Sequence, residues 1–240
     1  MLSTDRVTTG IAGLDRVIEG GYPKGRSILV TGEPGTGKTI FALQFLVDGL
    51  RRGERGIYVA ADEDPIDILE QGASMGWDLE KFTETKELAI LNAGAYLSSL
   101  PGSSKERHID VHKAIGDLSG FVNRLEAQRL VLDPAGPFVL LRDTTTRIQD
   151  QTRLLMKLLR SSMKTTNILT SYAVPRTGER VMHGIEEYLV AGAIVLEIIW
   201  KDGKLCRSLV IEKMRCTDVK PGQYDFDILR GQGVVLETAF

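Results

Sequence analysis

The strongest chemical pattern in this chain is a stretch of eight residues that matches G-x-x-x-x-G-K-[ST]. It reads Gly32-Glu33-Pro34-Gly35-Thr36-Gly37-Lys38-Thr39. Glycines allow the backbone to curl until several amide groups point at phosphate oxygens, and a following helix adds its positive N-terminal dipole. Lys38 would then supply positive charge to the β- and γ-phosphates, and Thr39 a hydroxyl ligand for Mg²⁺. The pattern predicts a nucleotide site, with a chance glycine-rich turn as the alternative.

A carboxylate at the end of another apolar segment would complete such a site. Arg129–Asp133 is apolar after its first residue and ends in an acid, which Pro134 follows. Ligands of open α/β sheets bind outside the carboxyl ends of the strands, where a P-loop nucleotide needs an acid to hold Mg²⁺, directly or through water. We therefore expect Asp133 to be the second metal-side residue. The alternative is a turn or capping role before Pro134.

Three consecutive acids are candidates for the hydrolytic step. Asp62, Glu63 and Asp64 follow the apolar segment Gly56–Ala61. A carboxylate in this place could polarise the water that attacks the γ-phosphate. Pro65 comes next, and a proline in the first turn of a helix, preceded by negative charge that complements the helix dipole, is also a common helix start. The acids therefore have a catalytic interpretation and a helix-capping one.

A pair of cations near the C-terminus is the last candidate. Lys213 and Arg215 lie two residues apart on a predicted strand, so both side chains point to one face while Met214 points to the other. Two neighbouring cations repel unless an anion faces them. One interpretation is a pair that stabilises charge on the γ-phosphate held by an adjacent subunit. The alternative is a solvated sheet edge.

The segments that must position these residues alternate between apolar strands and amphipathic helices. This rhythm predicts an α/β fold with a mostly parallel sheet covered on both faces. After residue 188 the pattern changes to strands 189–200 and 204–213 around Asp202-Gly203, a strong hairpin signal that predicts an antiparallel C-terminal β extension. No linker divides residues 1–240, so we expect one domain. The predicted strands are Ser27–Thr31, Gly56–Ala61, Ala89–Asn92, Arg129–Asp133 and Asn167–Ser171, and the helices are Ile40–Arg52, Pro65–Met75, Val111–Ala127 and Gln149–Ser162.

Composition narrows the class of protein. Lys and Arg number 30 against 32 Asp and Glu, a net charge of −2, and 42% of residues are hydrophobic. Such a chain is neither disordered nor fibrous, and it lacks the excess charge of a nucleic-acid coat or a polybasic membrane binder. The longest apolar run, 188–196, is far shorter than the roughly 20 residues of a membrane helix, and no secretory signal is visible. Cys206 and Cys216 lack metal-site spacing and are expected to be free thiols, with a disulfide as the alternative. These features favour a cytoplasmic protein.

Together the motifs resemble the KaiC-like branch of the RecA ATPase superfamily, over essentially the whole chain and with one such domain instead of KaiC's tandem pair. The matching segments are Thr9-Gly10-Ile11-x-Gly13-Leu14-Asp15, Gly20-Gly21, the P-loop, Glu63-Asp64-Pro65, Gly76-Trp77-Asp78-Leu79 and Lys213-Met214-Arg215. The resemblance implies a RecA-like P-loop fold, ATP and Mg²⁺ as ligands, ATP hydrolysis, and ATP held between neighbouring subunits of a hexameric ring.

The resemblance also assigns roles to residues. KaiC-like proteins have paired acids where Asp62 and Glu63 stand; because Asp62 is one methylene shorter than Glu, we expect Glu63 to be the water-activating base and Asp62 to support it. Ser74 matches a position near the nucleotide, although a surface helix serine is the alternative. The remaining implied nucleotide contacts come from the adjacent subunit and are Lys213, Met214, Arg215 and Thr217. The stretch 216–220 lacks the histidine that often follows in the family.

Departures from the family pattern refine the expected function. The segment His183–Tyr188 is acidic where KaiC's second domain carries its phosphorylated Ser-Thr pair, so we expect no autophosphorylation. Loops 142–147 and 175–180 match the DNA-binding loops of RecA relatives but mix arginines with acids, which disfavours nucleic-acid binding. We expect a ring-forming regulatory or signalling ATPase that acts on a protein partner. The alternatives are a recombinase-like DNA-binding motor and a nucleotide-sensing scaffold with little turnover.

Overall fold

A computed structural model of the protein describes residues 5–93, 111–135, 145–172, 189–219 and 222–237. The strands are β1 Arg6–Val7, β2 Tyr22–Pro23, β3 Ser27–Gly32, β4 Gly56–Ala60, β5 Leu88–Asn92, β6 Arg129–Asp133, β7 Thr166–Tyr172, β8 Gly192–Lys201, β9 Lys204–Met214, β10 Gln223–Leu229 and β11 Gly233–Leu236. The helices are α1 Ala12–Val17, α2 Lys38–Arg51, α3 Pro65–Ser74, α4 Leu79–Glu84, α5 Val111–Leu125 and α6 Thr145–Ser162. Each strand and helix predicted from the apolar pattern is present, with ends that shift by a few residues.

The main sheet has nine strands in the order β11-β10-β9-β8-β3-β7-β6-β4-β5. Strands β8, β3, β7, β6, β4 and β5 run parallel to one another, whereas β9, β10 and β11 continue the sheet in antiparallel fashion. This arrangement confirms the predicted α/β fold with a mostly parallel sheet and a C-terminal antiparallel extension. The P-loop strand β3 lies in the middle, between β7 and β8.

Both faces of the parallel strands are buried, which explains their continuous apolar runs. Along β3, Ile28 and Val30 contribute to the core beneath α2, while Leu29 contributes to the core beneath α5 and α6. Among the described residues, no helix has both the length and the apolar content needed to cross a membrane.

The carboxyl ends of the parallel strands meet at one edge of the sheet. Gly32 at the end of β3 pairs with Tyr172 of β7, and Ala60 at the end of β4 pairs with Asp133 of β6. The phosphate-binding loop, the three acids after β4 and the acid of β6 therefore leave the sheet on the same side, because parallel strands point the same way.

The predicted hairpin between β8 and β9 is confirmed. Asp202 and Gly203 both have positive φ angles, 50° and 76°, which is the requirement of a two-residue type I′ turn. Lys201 pairs directly with Lys204 across the turn. Cys206 and Cys216, on β9 and just beyond it, are both free thiols.

The contact between Gly10 and α2 explains why a glycine stands in the segment Thr9–Asp15. A Cβ atom added at Gly10, whose φ is 82°, would lie 2.8 Å from Asp48 Cβ and 2.9 Å from the carbonyl oxygen of Gln44. The Gln44 amide donates to the Gly10 carbonyl oxygen at 2.8 Å. The segment around Gly10 therefore packs directly on α2, and its glycine serves packing, not chemistry.

A second contact with α2 is formed by Arg129 at the start of β6, which is 1% exposed. Its guanidinium pairs with Glu54 and with Asp48, the latter at 3.1 Å, and donates to the Phe45 carbonyl oxygen at 2.6 Å. A Cβ atom at Gly49 would lie 2.4 Å from its Nε. The arginine thus ties β6 to α2, the helix that begins at the P-loop.

Candidate functional site

The P-loop backbone is shaped by glycines at two close contacts. Gly37 precedes α2 with a φ of 105°, and a Cβ atom there would lie 2.6 Å from Ile228 Cδ1 of β10. A Cβ atom at Gly32 would lie 2.6 Å from both the Leu196 carbonyl oxygen and the Thr36 hydroxyl. The first turn of α2 contains no acid, so its amide groups and its positive dipole face the loop without a competing carboxylate.

Lys38 is almost fully buried within the loop. Its ammonium group donates to the carbonyl oxygens of Gly32 and Glu33 at 2.9 and 3.0 Å, and it lies 5.2 Å from the centre of the Tyr172 ring. Burial lowers the pKa of Lys38, and the negative charge of Asp133 acts in the opposite direction. The lysine is therefore held at the loop by neutral acceptors that a phosphate group can replace as a stronger partner.

Asp133 accepts hydrogen bonds from three hydroxyl groups. Thr39 donates at 2.9 Å, and Tyr58 and Thr170 donate to the two carboxylate oxygens. Burial, followed by the charge of Asp133, raises the pKa of Tyr58 well above its usual value, so this phenol stays protonated and donates. The predicted pair Thr39 and Asp133 is thus in direct contact.

This pair fits the chemistry of a magnesium ion, which prefers oxygen ligands and retains several waters. Thr39 and Asp133 present a hydroxyl and a carboxylate side by side. Within the described residues there is no cluster of three or more His, Cys, Asp or Glu that could hold a metal by itself. A cation here would take its other ligands from phosphate oxygens and water.

The three acids after β4 have separate surroundings. Asp62 accepts a hydrogen bond from the Tyr172 hydroxyl at 3.1 Å, and Glu63 accepts one from the Gln71 amide. Asp64 instead stands at the start of α3, where its amide donates to Asp67 at 3.3 Å in a capping box. The helix-capping interpretation therefore applies to Asp64, while Asp62 and Glu63 face the site.

The surroundings of Glu63 shift its pKa upward. Burial raises the pKa of this carboxyl, and the charges of Asp133, Asp67 and Asp62 raise it further, although the hydrogen bond from Gln71 lowers it. A carboxylate with a raised pKa binds a proton more readily, which is the property that general-base catalysis requires.

These groups enclose a cavity of about 430 Å³. The predicted residues that line it are Pro34, Gly35, Gly37, Lys38, Thr39, Asp62, Glu63 and Asp133. Gly32 and Thr36 belong to the loop but do not line the cavity. The buried Thr36 hydroxyl instead stabilises the loop by donating to the Glu33 carbonyl oxygen at 2.8 Å. Most of the residues predicted for the P-loop side are thus together in one place.

Other lining residues were not predicted. They include Tyr58, Gln71, Thr170, Tyr172, Arg207 and Ile228. Arg207 on β9 is notable because its Nε is buried and has no hydrogen-bond partner among the described residues. It shares a strand face with buried Leu209 and Ile211, so a cation at an inward position of a half-buried strand was the signal that could have revealed it.

Ser74 lies outside the cavity wall. It is exposed at the end of α3, and its hydroxyl donates to the Gln71 carbonyl oxygen at 2.7 Å. Gln71, one turn earlier, lines the cavity and donates to Glu63, whereas Ser74, expected near the nucleotide, does not line it. This environment matches the surface-serine alternative.

Lys213, Met214 and Arg215 lie at the opposite end of the sheet. Met214 pairs with Gly192, which pairs with Ile28 near the start of β3. Gly32 is four residues further along β3, which is about 13 Å at the rise of an extended strand. The two cations are therefore remote from the P-loop of their own chain.

The two other residues predicted at this end have structural contacts. The Met214 side chain is buried, and a Cβ atom on Gly192 would lie 2.5 Å from its sulfur. A ligand cannot reach that side chain, so a contact of Met214 with nucleotide would have to come from its backbone. The Thr217 hydroxyl accepts a hydrogen bond from Arg6 at 2.6 Å. Segments 142–147, 175–180 and 183–188, on which the DNA-binding and autophosphorylation predictions depend, lie outside the described residues.

Comparison with known proteins bears on this geometry. A family model described as "ATPase: KaiC" matches residues 7–239. A UPF0273 protein of Aeropyrum pernix is 35% identical over 231 residues, which cover 93% of this chain and 90% of that protein. The circadian clock protein KaiC3 of Synechocystis is 32% identical over 233 residues, which cover 97% of this chain but 45% of KaiC3. The chain thus spans about half the length of that clock protein.

A solved structure agrees with the fold. The crystal structure of the KaiC-like protein PH0186 from Pyrococcus horikoshii superimposes with a TM-score of 0.82 at 33% identity, covering 98% of this chain and 100% of that one. The likeness includes the parallel sheet and its antiparallel extension. Taken with the family match over nearly the whole chain, it shows that this protein belongs to the KaiC-like ATPases of the RecA superfamily.

Proposed function

We propose that this protein binds ATP with Mg²⁺ in the cavity at the P-loop and hydrolyses it. The observation that carries the proposal is the convergence of Lys38, the Thr39–Asp133 pair and Glu63 on one cavity of about 430 Å³. A phosphate-binding loop, a metal-side carboxylate and a candidate base are the parts that phosphoryl transfer to water requires. Family membership supports nucleotide binding independently of this geometry.

In this proposal the loop holds the triphosphate. The amide groups at the start of α2 donate to phosphate oxygens, and Lys38 exchanges its carbonyl partners for the β- and γ-phosphates. Thr39 and Asp133 hold the cation, oriented by the hydroxyls of Tyr58 and Thr170. Bound Mg²⁺ supplies positive charge that offsets the negative charge on the phosphates.

Glu63 is the proposed base. Its carboxylate accepts a proton from the attacking water, and its raised pKa favours that transfer. Gln71 holds the Glu63 side chain in place, so Gln71 is a positioning residue. Asp62 supports the pair with its charge and fixes Tyr172 through their hydrogen bond. The shorter reach of Asp62 and its engagement with Tyr172 both favour Glu63 for the proton transfer.

The nucleotide site is completed in this proposal by a second copy of the chain. Lys213 and Arg215 lie at the end of the sheet opposite their own P-loop, which suits groups that serve the phosphate of a neighbour. Head-to-tail contacts of this kind generate closed rings, and we propose a hexamer. We further propose that residues 1–240 form one such domain, working in the cytoplasm as a regulatory ATPase whose slow turnover switches the ring for a protein partner.

Phosphate release by the purified protein with ATP and Mg²⁺ tests the assignment. We expect Glu63→Gln and Arg215→Ala each to lower the turnover number by about a hundredfold or more, because each removes a group that acts in the transition state. Glu70→Gln on the exposed side of α3 and Arg153→Ala on α6 are the matched controls and should keep wild-type turnover. Equal rates for Glu63→Gln, Arg215→Ala and wild type would refute the catalytic assignments. The mass of the particle with and without ATP and Mg²⁺ tests the ring.

A further inference from the structure

The end of the sheet that carries Arg215 has a cavity of its own, of about 250 Å³. Three arginines from three different elements line it: Arg26 just before β3, Arg160 in the last turn of α6, and Arg215 just after β9. None of the described residues that line this cavity is acidic. We call it the three-arginine cavity.

Three guanidinium groups around one cavity require an explanation, because arginine stays charged at any physiological pH and like charges repel. Neither Arg26 nor Arg160 forms an ion pair with an acid among the described residues. A cation in the last turn of a helix is favoured by the helix dipole, which accounts for Arg160 alone. Arg26 and Arg215 stand at strand ends, where no such dipole acts. An anion in the cavity would account for Arg26 and for the convergence of Arg26, Arg160 and Arg215 on one cavity.

The backbone beside Arg215 is held in an unusual turn. Cys216, which also lines the cavity, has a φ of 58°, a left-handed conformation that is unfavourable for residues other than glycine. Arg6 holds this turn by donating to the Cys216 carbonyl oxygen at 2.8 Å, and the Arg215 amide donates to the Ala191 carbonyl oxygen at 2.7 Å. Strained backbone fixed by such bonds is typical of binding sites. In this protein the turn at Cys216 fixes the backbone position of Arg215, directly after the end of β9.

We propose that the three-arginine cavity receives the terminal phosphates of a nucleoside triphosphate that a neighbouring copy holds on its P-loop, with Arg26 and Arg160 as anion-binding residues beside Arg215. This inference rests on the proposed function and extends it by two residues. Guanidinium groups match phosphate oxygens in charge and in hydrogen-bonding geometry. The acids Asp62 and Glu63 at the P-loop cavity give the opposing surface the complementary charge.

Mixing two impaired variants tests the inference. Arg26→Gln/Arg160→Gln keeps its P-loop and loses two of the arginines, whereas Lys38→Ala keeps the arginines and loses the P-loop lysine. We expect the double variant to bind ATP within about twofold of wild type while its turnover number falls about tenfold or more. Mixed with Lys38→Ala, it should regain phosphate release, because some interfaces then join an intact P-loop to an intact three-arginine cavity.

Two controls accompany the mixture. Arg51→Gln/Arg153→Gln removes two exposed arginines outside both cavities and should keep wild-type turnover. Arg26→Lys/Arg160→Lys retains the charge and should recover part of the lost rate, which a purely structural role for the arginines would not predict. If the Gln double variant does not fold, as judged by its thermal melting, the single variant Arg160→Gln at its exposed helix position replaces it.

The outcomes separate the two proposals. A wild-type protein that releases no phosphate would overturn the proposed function and this inference with it. An active wild type with an equally active double variant, or a mixture no faster than the sum of its parts, would overturn the inference alone. Inorganic phosphate tests the other source of the same chemistry: if it raises the melting temperature of Lys38→Ala but not of Lys38→Ala/Arg26→Gln/Arg160→Gln at equal ionic strength, and the mixture stays inactive, the cavity takes a free anion instead.

Discussion

The two ends of the central sheet differ in how their polar groups are satisfied. At the carboxyl ends of the parallel strands, Thr39, Tyr58 and Thr170 all donate to Asp133, and Lys38 donates to the loop carbonyls. At the other end, three arginines line a cavity that has no acid among its described residues. At the first end the polar side chains are hydrogen-bonded to one another or to the loop backbone. At the second end the described charged side chains that line the cavity are all positive. In our proposal the first end is the holder of the nucleotide, and the second is the receiver of an anion.

The largest effect on stability should come from Arg129, which ties β6 to α2, the helix that begins at the P-loop. Arg129→Ala removes the buried cation that faces Asp48 and Glu54 and leaves a space beside Phe45. We expect the free energy of unfolding to fall by about 3–5 kcal/mol, because a cavity forms and the carbonyl oxygens of Thr8 and Phe45 lose their donor. Urea denaturation measures it. Arg124→Ala, whose guanidinium lies over the exposed Phe121 ring, is the control and should change stability by about 0.5 kcal/mol or less.

Lys38→Ala should distinguish most clearly between the roles of the two ends in ATP binding. We expect ATP affinity to fall about a hundredfold, because the lysine is the charged partner of two phosphates and its hydrogen bonds are charge-assisted. Equilibrium binding of a fluorescent ATP analogue measures the loss. Lys24→Ala, an exposed lysine before β3, should bind as wild type does. If Arg215→Ala weakened binding more than Lys38→Ala, the roles of holder and receiver would have to be exchanged.

A smaller effect should appear in the pH profile. The hydrogen bond from Gln71 lowers the pKa of Glu63, against the upward shift that burial and the neighbouring acids cause. A base works only when ionised, so turnover should fall as pH decreases through the Glu63 pKa. Gln71→Ala should raise that pKa and move the acid limb of the profile to higher pH. A limb that stays in place, or moves to lower pH, would argue against Glu63 as the base.

Ser74→Ala should have the smallest effect of the series. The hydroxyl is exposed and bonds to the carbonyl oxygen of Gln71 within its own helix. We expect ATP affinity and turnover to stay within about twofold of wild type, since exposed substitutions of this kind change little. A tenfold loss of ATP affinity would restore the interpretation of Ser74 as a nucleotide contact. Ser74 would then contact a nucleotide in an assembly with the adjacent copy.

Features of the fold and the site could be predicted from the sequence where the residues that specify them are neighbours in the chain. The P-loop, its strand and its helix lie within a few consecutive residues, and Asp133 ends a strand of plain apolar character. Parallel strands then fix where these segments meet, since all their carboxyl ends lie at one edge. The hairpin was predictable for the same reason, because Asp202-Gly203 specifies its own turn.

The remaining parts of the site depend on register between distant segments. Ile228 reaches Gly37 because β10 pairs with β9 in one particular alignment, which no local pattern encodes. Arg207 enters the cavity wall through the same alignment. The small elements α1, α4, β1 and β2 are too short for periodicity to detect. The acids after β4 were predicted as a group, but only packing distinguished the cap Asp64 from the two that face the cavity.

Strand β9 has a property that follows from its position in the sheet. It carries Arg207 at the wall of one cavity and ends at Lys213 and Met214, beside the other. It pairs with β8 at ten residue positions, and a β-bulge shifts the register between Ala193 and Ile194. The bulge lies between Arg207 and Lys213, because Ile194 pairs with Ile211 whereas Ala193 pairs with Lys213. A bulge bends its strand and increases the local twist, so the end of β9 that carries Lys213 departs from the direction of the part that carries Arg207.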